Sequence, residues 1–141
     1  MNFKIPSFEK CLFSACIDVR VYDLNYGNHL GHDSLVSFFH EARSRFFRSI
    51  GYTELNICGL STLVKNLAIN YSSEAFHMDK ILIEIGIGEI NNASIELLYR
   101  AINTSTMKEA GSAITKIVFY DYKKSKLARV PNEFISAIMI Q

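Results

Sequence analysis

The chain has no tryptophan, two prolines and three cysteines, and each scarcity excludes something. Cys11, Cys16 and Cys58 form an odd set without a paired spacing, which argues against a disulfide framework and for reduced thiols. Cys11 and Cys16, five apart in a strand-like stretch, would face opposite ways and could not share a metal ion. Pro6 and Pro131 lie near the ends, so no proline interrupts the middle. No apolar run approaches ~18 residues, and the start lacks the charged-then-apolar layout of a secretion leader; the expectation is a cytoplasmic protein without membrane contact. An excess of one charge is missing too. Fifteen basic against fourteen acidic side chains leave a formal +1, which offers no broad field for a nucleic-acid backbone.

What is present fits one domain over residues 1–141: 49% hydrophobic residues, with ten Phe and seven Tyr for an aromatic core. From Lys10 to Tyr22 the residues Leu12, Ile17, Val19 and Val21 read as a strand, ended by the polar run Asn25 to Gly31. From Ser34 to Ile50 the period changes, and Leu35, Phe38, Phe39, Ala42, Phe46 and Ile50 recur at helical steps. Asp33 or Ser34 can cap this helix and Gly51 can stop it. Val36 and Phe47 widen its apolar stripe, so more than one side should be covered. Four strand patterns follow, Thr62–Tyr71, Lys80–Glu89, Ser94–Asn103 and Ser112–Tyr122, and a short helix can begin near Pro131. One strand, one long helix and four strands on hairpin-length turns make an α+β design, an antiparallel sheet with its helix on one face. Ile81, Ile83, Ile85 and Ile87 share one side of their strand, while Gly86 and Gly88 on the other would let a partner or a substrate arm approach closely.

Polar density peaks between the first strand and the helix. Asp23, Asn25, Gly27, Asn28, His29, Gly31, His32 and Asp33 crowd the helix entrance, where free backbone N–H groups favour a developing oxyanion. Gly27 and Gly31 fit backbone that must come near a substrate. Glu41 is either the surface partner of Arg45 or a working carboxylate, and Asp33 either a cap or a base. Asn25 and His32 form an ordinary polar turn or orient a carbonyl or a water. His29 reads first as a loop hydrogen-bonder. A metal site from His29, His32, Asp33 and His40 lacks the stronger ligand spacings, so no metal or cofactor is expected. Lys123, Lys124, Lys126 and Arg129 gather positive charge after the last strand, either as a solvated hairpin end or as contacts to phosphates.

The stretch from Asp23 to Asp33, with Glu41-Ala42-Arg43 and the closing Gly51, resembles the 4-hydroxybenzoyl-CoA thioesterase family and, within it, the Tol–Pal-associated acyl-CoA thioesterases. Asp79 and the Arg129-Val130-Pro131 ending extend the likeness over nearly the whole chain. The resemblance implies a HotDog fold, with an antiparallel five-stranded sheet wrapped around one long central helix. It also implies hydrolysis of an acyl-CoA substrate without a cofactor, and a homodimer or homotetramer with a shared site. The chain departs from the family where many members carry a catalytic aspartate: Asn25 stands there, and an amide cannot act as a base. Other HotDog thioesterases use a helical carboxylate nine residues after a His, the spacing of His32 and Glu41. Asp23, Gly27, His29, Gly31, Lys126 and Arg129 then fall to substrate binding, and Asn25, His32, Asp33 and Glu41 to catalysis. Two other classes stay open: a HotDog dehydratase of hydroxyacyl thioesters, and an acyl-CoA or lipid-binding scaffold that has lost its aspartate.

Overall fold

The structure, a computed structural model, describes residues 3–140. The elements run β1 (Phe13–Asp18), a 3-10 turn (Val21–Asp23), α1 (His32–Ser49), β2 (Ser61–Tyr71), β3 (Lys80–Ile90), β4 (Ser94–Asn103), β5 (Lys108–Asp121), β6 (Lys126–Ala128) and α2 (Asn132–Met139). In space the strands lie β1-β3-β4-β5-β2, every pair antiparallel, with β6 on β5.

The wide stripe read in the sequence is the buried face of α1. Leu35, Phe38, Phe39, Ala42, Phe46 and Phe47 are all buried, together with Arg43. They meet the inward side chains of the sheet, among them Ile81, Ile83, Ile85, Leu97, Tyr99 and Phe119. Gly51, at φ +90°, ends the helix in a conformation that costs glycine least. At that end α2 closes the core, and Phe134 packs edge-on against Phe47, Tyr52 and Phe119 at 5.5–5.6 Å.

Several boundaries differ from the sequence reading, each for a local reason. The first strand keeps only Phe13–Asp18, because Arg20 and Asp23 bond each other and curl the chain into the 3-10 turn. The helix begins at His32, and its N-cap is Gly31 rather than Asp33 or Ser34. The sheet has six strands instead of five: Asp121 accepts from the N–H groups of Lys123 and Lys124, and this turn brings Lys126–Ala128 back onto β5. The room expected at Gly86 and Gly88 is already taken. β3 is an interior strand, Phe8 covers Gly86, and Arg100 stacks over the Phe8 ring at 4.4 Å; a side chain at Gly88 would meet Glu96. At the two ends of the five-strand path, β1 and β2 each have an open side. On β2, Leu63, Val64 and Leu67 are 41–45% exposed.

Candidate active site at the start of the central helix

The segment before α1 is a small hairpin whose ends are tied by backbone. Leu24 and Leu30 form an antiparallel bridge, and the Gly31 N–H donates to the Asp23 carbonyl at 2.9 Å. The Leu30 N–H reaches across to the Ala75 carbonyl at 2.7 Å, fastening the hairpin to the turn after β2. Inside the loop, the Asn25 side-chain oxygen accepts from the N–H groups of Gly27 and His29 at 2.9 and 3.3 Å. This is the self-bonded turn that asparagine makes well. It consumes the oxygen of Asn25 and leaves its NH₂ as a donor. Asn28 takes the tight position, at φ 68°, while Gly27 and Gly31 serve through their missing side chains.

Two adjoining clefts of about 370 and 490 Å³ open here, both lined by Asn25, His29 and His32. The first continues to Tyr71, Ser72, Ser73 and Glu74, the second to Tyr22, Tyr26, Gly27 and Asp33. No side chain caps the helix at Gly31, so its first-turn N–H groups are available to a ligand. A Cβ on Gly31 would stand 2.5 Å from Asp33 Oδ1 and 3.6 Å from the Cβ of Asn25. The Asp33 carboxylate therefore rests over Gly31, next to the position where the resemblance calls for an acid.

Six sequence candidates thus meet in one place, the side chains of Asn25, His29, His32 and Asp33 with Gly27 and Gly31 among them. Asp23 lies behind them, 4% exposed, holding the Arg20 backbone N–H and guanidinium at 2.9–3.1 Å. Burial pushes its carboxyl upward, but the hydrogen bonds and charge of Arg20 outweigh this and bring it below the usual carboxylate range. Glu41 is not with them. Nine residues are two and a half helical turns, so His32 and Glu41 leave α1 on opposite sides. Glu41 accepts from Arg45 Nε at 2.6 Å and borders a different cleft, with Cys16, Asp18 and Arg20. Lys126 and Arg129 lie by the far end of β5, and Arg129 lines a cleft with Cys58, Asn91 and Asn132. Among the described residues, no three His, Cys, Asp or Glu side chains group as a metal-ligand set, and no helix is long and apolar enough to cross a membrane.

Of the cleft residues that sequence reasoning missed, two approach the candidates directly. The Tyr71 hydroxyl donates to the His32 carbonyl at 3.1 Å, and Glu74 Oε1 lies 3.8 Å from His29 Nε2. Neither carries a local signal, because the Leu30–Ala75 bond joins segments about 45 residues apart in the chain. Arg43, the last member of the helical motif, has a structural task. Its guanidinium is buried and donates to Glu54 at 2.5 Å and to the Tyr99 hydroxyl at 3.3 Å, while Tyr99 bonds Thr115 at 2.7 Å.

A family model described as the thioesterase-like superfamily matches residues 19–138. An acyl-CoA thioesterase, YbgC, of Haemophilus influenzae is 29% identical over 124 residues, covering 84% of this chain and 90% of that protein. Among solved structures, a 1,4-dihydroxy-2-naphthoyl-CoA thioesterase from Synechocystis superposes with a TM-score of 0.82 at 18% identity, over 90% of this chain and 95% of that one. A DHNA-CoA thioesterase from Staphylococcus aureus gives 0.80 at 16%, over 91% and 89%. At such identities the superpositions speak for the fold, and that fold is the HotDog.

Proposed function

The chain belongs to the thioesterase-like superfamily, and from that premise we propose that it hydrolyses an acyl-CoA thioester to the free acid and coenzyme A, with Asp33 activating the water. The observation that carries this assignment is the Asp33 carboxylate held over Gly31, beside Asn25, at a helix start without a cap. The thioester carbonyl lies at the first-turn N–H groups of α1, where the helix dipole and free donors stabilise the oxyanion. Asn25, its oxygen engaged by Gly27 and His29, offers its NH₂ to the same carbonyl. An aspartate at that position could only accept, so the amide at Asn25 and the acid at Asp33 divide the two duties. Asp33 takes a proton from water, the hydroxide adds to the carbonyl carbon, and collapse of the adduct breaks the C–S bond. His32, whose carbonyl is fixed by Tyr71, borders the reacting carbon.

The proposal extends to the assembly. The open edge of β2 pairs with β2 of a second copy, and two-fold symmetry makes that pairing antiparallel. The Ser61 end of one copy, where β6 lies, then meets the Tyr71 end of the other, so Lys126 and Arg129 approach the cleft across the interface to meet coenzyme A phosphates. Three free, exposed cysteines suit the reducing cytoplasm in which this reading sets the chain.

Thiol release from a panel of acyl-CoAs tests the site. Asp33→Asn should lower kcat by at least ~100-fold, as loss of a general base does, while Glu41→Ala stays within about threefold of wild type. Full turnover in Asp33→Asn with a dead Glu41→Ala would reverse the assignment. Undiminished acyl-CoA binding with no thiol release in the wild type would make the chain a scaffold.

A further inference from the structure

The mechanism above leaves the departing sulfur without a proton donor, and one pair of side chains in the same cleft has no duty assigned. His29 and Glu74 both line the cleft of about 370 Å³. They come from different segments, yet the Leu30–Ala75 backbone bond fixes their residues as neighbours. His29 Nδ1 lies 3.3 Å from the Leu30 carbonyl, which can only accept, so this nitrogen carries a proton. The other, Nε2, is 3.8 Å from Glu74 Oε1. That gap exceeds a hydrogen bond but lies within reach of a small rotation, and the Glu74 side chain is 63% exposed and has room to make it. Glu74 thus sets a carboxylate beside Nε2 while the Leu30 carbonyl holds Nδ1, and both side chains line the cleft. Asn25 ties down the backbone of the same residue, because its side-chain oxygen accepts from the His29 N–H.

We propose that Glu74 is a positioning residue for His29, which delivers a proton to the thiolate of the departing coenzyme A. This rests on the thioesterase reading. When the tetrahedral adduct collapses, the C–S electron pair stays on sulfur, and His29 Nε2 supplies the proton that makes the free thiol. The proton that Asp33 took from water returns to His29 through solvent, so the cycle closes without any further reactant. The Leu30 carbonyl anchors the ring through Nδ1, and the Glu74 carboxylate beside Nε2 draws the protonated ring to the cleft; the Nε2 proton leaves that carboxylate for sulfur, and no covalent bond to Glu74 is made or broken.

The test compares leaving groups on the intact chain. An acyl-CoA needs a proton on its alkyl thiolate, whereas the same acyl group on 4-nitrothiophenol departs as a stable aryl thiolate. Glu74→Gln should lower kcat on the acyl-CoA at least ~10-fold, with KM within about twofold, and leave the aryl thioester within about twofold of wild type. His29→Ala should show the same selectivity more strongly, and the double variant should be no slower than His29→Ala alone. Glu74→Asp, which keeps the carboxylate, should recover part of the loss. Unfolding midpoints measured alongside should stay near wild type, since Glu74 is exposed. Equal losses on both thioesters, or additive losses in the double variant, overturn the proposal while leaving the thioesterase reading intact. No thiol from either substrate with the wild type overturns both.

Discussion

Asp23 and Asp33 stand at opposite ends of one short hairpin, and their surroundings give them opposite duties. Asp33 is exposed over the helix entrance, where a base must be reachable by water. Asp23 is sealed behind the loop, accepting from Arg20, while its own carbonyl receives the Gly31 N–H that starts the helix. Its carboxyl is held below the usual range, which fixes the sign of a pH effect. A depressed folded-state value stabilises the protein above the unfolded value, about 3.9 for Asp, and that contribution disappears as pH falls through the lower folded one. Asp23→Asn should therefore cost about 1 kcal/mol at neutral pH: the amide oxygen can still accept from the Arg20 N–H, but the charge that strengthens that bond is lost, while the exposed guanidinium is screened and adds little. Denaturant melts should show that difference unchanged down to about pH 5 and shrinking below about pH 4. A gap as wide at pH 2.5 as at pH 7 would show that the Asp23 charge is not what matters.

At the scale of elements, the start of α1 joins packing to chemistry through Gly31. Its φ of −68° suits any residue, so glycine is needed there for space, to leave the Asp33 carboxylate its place. Gly31→Ala should keep the fold at a cost near ~1 kcal/mol, the usual penalty of alanine at an N-cap, yet lower kcat about 10- to 100-fold by displacing Asp33. Turnover equal to wild type would mean the carboxylate does not work from that position. Much of this element was legible in the chain, because Leu35, Phe38, Phe39, Ala42 and Phe46 repeat at helical steps and need no partner to be recognised. The crowding of Asn25, His29, His32 and Asp33 was legible for the same reason: they are local. Residues that act through tertiary contact were not. Glu74 sits in a polar stretch without pattern, and Phe8 fills Gly86 from almost eighty residues away. The three residues of β6 are too few to show alternation. The nine-residue spacing of His32 and Glu41 does not bring them to one cleft of this chain, since helical periodicity alone sends the two side chains apart.

For the whole molecule, the free side of β2 is the feature with most at stake. β5 covers one side, while Leu63, Val64 and Leu67 remain exposed, apolar surface that a lone sheet seldom leaves bare. Light scattering should return at least a dimer of the 16.0 kDa chain at micromolar concentration, and Leu67→Lys should shift it toward monomer with a loss of activity, because the neighbouring copy then no longer reaches the cleft. A fully active monomer would refute the shared site. The same strand sets a problem of timing. β2 pairs with β5 from Tyr71 opposite Gly111 to Ser61 opposite Tyr120, so the first of those partners is made 40 residues after Tyr71. At roughly 5–20 residues per second, a ribosome leaves β2 without its mate for about 2–8 s, with the apolar stripe of α1 waiting beside it for the same sheet. A nascent chain stalled before β5 would display both at once, and is the form of this protein most in need of a chaperone.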